Sequence, residues 1–119
     1  MSDLGHREEA LEAVQESVAL RRDLARDRPN AFNPDLALSL NTLFNSLSHL
    51  HRREEALEAV QECVALRRDL AQGRPNVFNP DLADSLNNLS ICLSGLGHQE
   101  EALEAMQESV AARPDQARN

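Results

Sequence analysis

The 119 residues carry 20 acidic and 12 basic side chains, a net charge of −8, with three Phe and neither Trp nor Tyr. An acidic balance argues against nucleic acid and against anionic membrane surfaces, both of which need clustered Lys and Arg. No apolar run approaches the ~20 residues that span a bilayer, and two cysteines are too few to staple a small secreted domain, so a reduced, cytoplasmic setting is expected.

Residues 1–6 lack the basic start and apolar centre of a signal peptide. Glu8-Glu9-Ala10-Leu11-Glu12-Ala13-Val14-Gln15-Glu16 then opens an amphipathic helix, called type B, over 7–26. The same nonapeptide recurs at 54–62, and again at 100–108 with Met106 in place of Val. The offset is 46 each time, and residues 8–53 and 54–99 agree at 33 of 46 positions, which marks a duplicated unit rather than a shared periodicity. Residues 27–33 contain Arg-Pro-Asn and read as an ordered turn.

A second kind of helix, type A, is predicted over 34–50. Asn33 is placed to cap it, Pro34 suits its first position and Asp35 favours its positive end. Leu36, Leu40, Leu43, Leu47 and Leu50 recur every three or four residues and make one apolar stripe. The next type-B helix is expected over 53–72, with Ala56, Leu57, Val60, Val64 and Leu70 inward. Glu54 and Glu55 at its start and Arg67 and Arg68 near its end complement the helix dipole. A turn over 73–79, a type-A helix over 80–96 and a type-B helix over 99–112 complete the chain. The expected domain is therefore single, 1–119, comprising a half repeat 1–33 and repeats 34–79 and 80–119 in the helix order B-A-B-A-B.

Leu89-Ser90, Leu93 and Gly97, followed by Ala102-Leu103, Met106, Ser109-Val110 and Pro114, resemble the tetratricopeptide repeat. The middle copy matches through Leu43, Leu47, Ala56, Val60 and Cys63, and the first through Gly5, Ala10, Val14 and Ser17. The 46-residue period resembles the long, kinesin-light-chain-like subclass, whose arrays also occur beside nucleotide-switch domains. The resemblance implies an all-α solenoid, a right-handed superhelix of antiparallel helix pairs whose concave face is lined by type-A helices. It implies a protein or peptide partner at Asn41, Asn45, Ser48 and His49, and at Asn87, Asn88, Ile91 and Ser94. Asn suits such a groove, because its amide both donates to and accepts from a peptide backbone. The chain departs from the family at Phe44, where a small residue is usual, and at His51, where the turn glycine belongs.

Other chemistry has little support. His49 and His51 point to different sides of a helix, and His6 and His98 merely occupy equivalent repeat positions, so no metal site is expected. Cys63 and Cys92 replace serines of other copies and read as small structural residues. The Glu-Glu pairs serve the helix dipole, and no phosphate loop, dinucleotide fingerprint or nucleophile constellation occurs. Neither a cofactor nor enzymatic activity is expected.

The ends point to self-association. The first type-B helix lacks a preceding type-A partner, which predicts partial exposure of Ala10, Leu11, Val14 and Val18, and the last lacks a following one. A homo-oligomer is expected, with a dimer favoured. An alternative starts at His51: without a turn glycine, residues 34–71 would run as one continuous helix and force a domain-swapped dimer.

Overall fold

In the computed structural model, which describes residues 3–113 (side chains from Gly5 onward), five α-helices follow one another: α1 Asp3–Asp27, α2 Pro29–His49, α3 Arg53–Gly73, α4 Pro75–Gly95 and α5 Gln99–Ala111. The protein is all-helical, and no strand occurs among the described residues. Consecutive helices pack on one another in the manner of a tetratricopeptide α-solenoid. Pro114 lies outside the described residues. The chain forms two compact units, Met1–Cys63 and Val64–Asn119, whose boundary falls within α3.

In the first unit α1 packs along α2. Leu11, Val18 and Ala25 of α1 are buried, as are Leu36, Ala37, Leu40, Phe44 and Leu47 of α2 and Ala56, Ala59, Val60 and Cys63 of α3. In the second unit Val64 and Ala71 of α3 form one cluster with Leu82 and Leu86 of α4, and Phe78 and Leu89 flank it. Here α5 packs on α4 and buries Ala102, Ala105 and Ser109.

The helix boundaries correct the sequence reading in one systematic way. The segments 27–33 and 73–79 are not turns, because α2 begins at Pro29 and α4 at Pro75. The junction is a single residue: Arg28 (φ −137°, ψ 75°) and Arg74 (φ −140°, ψ 73°). A residue before proline is driven out of the helical region, and proline itself suits the first helical position. The Arg28 carbonyl then accepts from the amides of Ala31 (3.2 Å) and Phe32 (3.1 Å). Asn33 and Asn79 therefore cap nothing, and Pro34 and Pro80 sit inside their helices. Each forfeits one helical hydrogen bond, but the continued helix sets Phe32 one turn from Leu36, and Phe78 one turn from Leu82 on the core side.

The two A-to-B turns share one geometry. At the first, the Arg52 amide donates to the Leu47 carbonyl (2.9 Å) and that of His51 to Ser48 (3.1 Å). At the second, His98 donates to Leu93 (2.8 Å) and Gly97 to Ser94 (3.1 Å). Both are Schellman caps, which need a left-handed residue just past the helix. That residue is Gly97 (φ 88°) in one and His51 (φ 59°) in the other. The continuous helix over 34–71 therefore does not form: two amide bonds to the last turn of α2 hold His51 in the glycine-like conformation. Gly5, the third member of this register, lies inside α1 instead.

Candidate interaction surfaces

Each type-B helix has two working sides, and the 46-residue register shows what each contacts. One side carries Ala10, Ala56 and Ala102, then Ala13, Ala59 and Ala105, then Ser17, Cys63 and Ser109. In α3 and α5 these small residues face the preceding type-A helix, whereas in α1 Ala10 and Ala13 are exposed and Ser17 Oγ lies 3.5 Å from Ser39 Oγ of α2. Cys63 Sγ donates to the Ala37 carbonyl (3.3 Å), Ser109 Oγ to that of Ala83 (2.8 Å), and Ser90 Oγ reaches across to Ala102 (2.8 Å). The other side carries Leu11, Leu57 and Leu103, then Val14, Val60 and Met106, then Val18, Val64 and Val110. In α1 it rests on α2, the helix that follows.

An arginine fastens this second side. Arg21 Nη1 donates to Ser39 Oγ and to the Asp35 carbonyl (3.2 Å). Arg67, only 8% exposed, repeats the clamp on Ser85 Oγ and the Asp81 carbonyl (3.3 Å). The third copy, Arg113, instead turns back to Asp84 Oδ1 (2.7 Å) on the preceding helix. Successive type-B helices are also tied by ion pairs, Arg22 to Glu62 and Arg68 to Glu108, each through two guanidinium nitrogens.

This register corrects the expected self-association set. Leu11 and Val18 are buried by α2 of the same chain (4% and 5% exposed), and Val14 is half-buried. They belong to the following-helix side, which α1 has filled. Ala10 is exposed, because it lies on the other side. The large apolar residues that do stand in solvent are Leu20 and Leu24 on α1, and Leu103, Met106 and Val110 on α5. Sequence reasoning missed them, although aligning the three nonapeptides separates the two sides.

The residues expected to bind a partner lie on one face of each type-A helix. On α2, Asn41 and Ser48 are half-buried, while Asn45 and His49 are exposed. On α4, Asn87 and Asn88 are half-buried, while Ile91 and Ser94 are exposed. The spacing of 41, 45 and 48, and of 87, 91 and 94, sets each trio on one helical face. The His49 carbonyl accepts from Arg7 Nη1 (3.4 Å), and Ser94 is tied to Gln99 through its hydroxyl and its carbonyl. Leu38, 53% exposed and one turn before Thr42, extends the α2 face and was not foreseen. Its counterpart is Asp84, the partner of Arg113.

A tetratricopeptide repeat family model matches residues 35–115. The chain belongs to the tetratricopeptide repeat family. Residues 1–30 are in addition similar to the family described as anaphase-promoting complex subunit 5. No curated protein matches the chain. Tetratricopeptide domains are generally non-enzymatic scaffolds that bind proteins or peptides. No helix among the described residues is long and apolar enough to cross a membrane, and no group of three or more His, Cys, Asp or Glu there is placed to hold a metal ion.

Proposed function

We propose that this tetratricopeptide chain is an interaction scaffold that takes a peptide segment of a partner protein on the exposed, amide-bearing faces of its type-A helices, α2 in one unit and α4 in the other. The observation that carries this is the repeated amide pair. Asn41 and Asn87 hold one register position on successive type-A helices, and each is half-buried, so its amide is held in place while still reaching solvent. Asn45, Asn88, Ser48 and Ser94 add donors and acceptors around them, His49 adds an imidazole, and Ile91 with Leu38 offers apolar contact for side chains. In tetratricopeptide arrays this face lines the concave groove. Amide side chains clamp a peptide backbone whatever its sequence, leaving neighbouring residues to select side chains.

The net charge of −8 favours a protein over a nucleic acid or an anionic membrane as partner. The 46-residue period supports placing the chain in the long, kinesin-light-chain-like subclass, and a cytoplasmic setting goes with it. The likeness of residues 1–30 to a subunit of a multi-protein complex supports an assembly role, such as a sensing array beside a nucleotide-switch domain. A peptide array followed by fluorescence anisotropy tests the reading. The Asn41→Ala, Asn87→Ala double variant is expected to lose at least tenfold in affinity for the selected peptide while melting at the unchanged temperature. Undiminished affinity overturns the groove assignment.

A further inference from the structure

We infer that the segment taken by the amide faces is itself uncharged, rich in Asn, Gln, Ser and Thr around an aliphatic anchor; this rests on the peptide reading above and names the class of peptide. Asp, Glu, Lys and Arg make up 27% of the chain, yet they are unevenly spread. None occurs from Leu36 to His51, and none from Ser85 to Gln99. The type-B helices hold the charges instead. On α3, Glu54, Glu55 and Glu58 are exposed, Glu62 pairs with Arg22 of α1, and Arg68 pairs with Glu108 of α5. Burial does not impose this neutrality on the type-A helices. Leu38, Thr42, Asn45 and His49 of α2 are exposed, as are Ile91 and Ser94 of α4, and a solvated helix face accepts Glu or Lys at such positions.

Formal charge stands only at the ends of each face. On α2, Asp35 is exposed three residues before Leu38, and Arg7 reaches the His49 carbonyl at the other end (3.4 Å). On α4, Asp84 at the start of the face is paired with Arg113 (2.7 Å). Between these ends a ligand meets amides, hydroxyls and one aliphatic side chain per helix, Leu38 or Ile91. A Lys, Arg, Asp or Glu pressed onto such a surface gives up water and gains no counter-charge. A ligand amide or hydroxyl exchanges water for partners of its own kind, because Asn both donates and accepts. The face therefore selects by excluding charge. With no ion pair to screen, its affinity is insensitive to salt.

An array of synthetic peptides that sets neutral, acidic and basic sequences of matched hydropathy side by side tests this on the full chain. The binders are expected to lack Asp, Glu, Lys and Arg in their central residues. In fluorescence anisotropy, one Lys or one Glu at the centre of the best neutral peptide should weaken it about tenfold, and the same change at either end less than about threefold. Raising NaCl from about 50 to about 500 mM near pH 8, where imidazole is ordinarily neutral, should change Kd less than about twofold. Asn45→Lys, at an exposed position, should shift the array towards acidic sequences, with circular dichroism verifying the fold. Wild-type binders enriched in either charge, a Kd that rises about tenfold with salt, or an unshifted Asn45→Lys array overturns the inference. If Asn41→Ala with Asn87→Ala abolishes binding of such charged peptides, the peptide reading survives that failure. Peptides of either class that this double variant still binds undiminished overturn the peptide reading itself, and an array with no binders overturns both.

Discussion

Phe44 and Ser90 occupy the same register position in the two units and fill it by opposite means. Phe44 is a large ring, 7% exposed in the first unit, at a point where the family favours a small residue. Ser90 is small, and its hydroxyl donates to the Ala102 carbonyl across the α4–α5 pair. The next turn repeats the contrast, with His51 taking a conformation that Gly97 adopts at little cost. The helix bounds and both Schellman caps are nonetheless the same. In this fold the backbone register is held by leucines, alanines and caps, and it tolerates large changes at the helix-to-helix contact.

Substitutions that exchange these solutions should separate them. Phe44→Ala leaves a buried void and is expected to cost about 3–5 kcal/mol in urea unfolding, whereas Ser90→Ala should cost only about 1 kcal/mol, the value of one neutral hydrogen bond. Equal costs would show that the first unit has no special dependence on its ring. Ser85→Ala removes the acceptor from buried Arg67 and should cost about 1–3 kcal/mol. Ser39→Ala should cost less in calorimetry, because Arg21 is only half-buried and water replaces the lost partner. Gly97→Ala meets no atom within 4 Å, so its expected penalty of about 1–2 kcal/mol is purely that of a left-handed alanine. His51→Gly should move the midpoint the other way, by about 1 kcal/mol. A destabilised glycine variant would mean that the imidazole contributes more than its backbone conformation costs. The smallest effect belongs to the ion pairs: double-mutant cycles on Arg22 with Glu62 and Arg68 with Glu108 should each give about 0.5–1 kcal/mol, falling with salt.

The helices were legible because the duplication shows the same apolar spacing more than once, and the single chemistry of leucine and alanine admits no competing strand reading. The first turns of α2 and α4 were not. Asn33-Pro34-Asp35 is a good start signal taken alone, but Arg28-Pro29 stands five residues earlier, and Phe32 lies one helical turn before Leu36. Burial of that ring and the proline-enforced kink at Arg28 outweigh one missing hydrogen bond inside the helix. The His51 turn was hard to read for a different reason: histidine enters the left-handed conformation less readily than glycine, and the hairpin that holds it there depends on α2 packing against α3, which is non-local. The amide face of α2 and α4 followed from the family register, yet Leu38 was missed because its counterpart is an aspartate. The exposed ends needed the two sides of α1 to be told apart, which depends on which helix covers which residue.

The one-residue junctions at Arg28 and Arg74 also bear on how the chain finds its fold. Two nearly identical helices, α2 and α4, each emerge from the same Arg-Pro-Asn corner with the same apolar spacing, so a newly collapsed chain meets two docking choices of similar appearance. Phe44 breaks the tie. A ring of that size overfills a site shaped for a serine, so an out-of-register pairing of α2 carries a packing penalty that the native pairing lacks. The bulk of one side chain thus distinguishes two helices that are otherwise nearly the same.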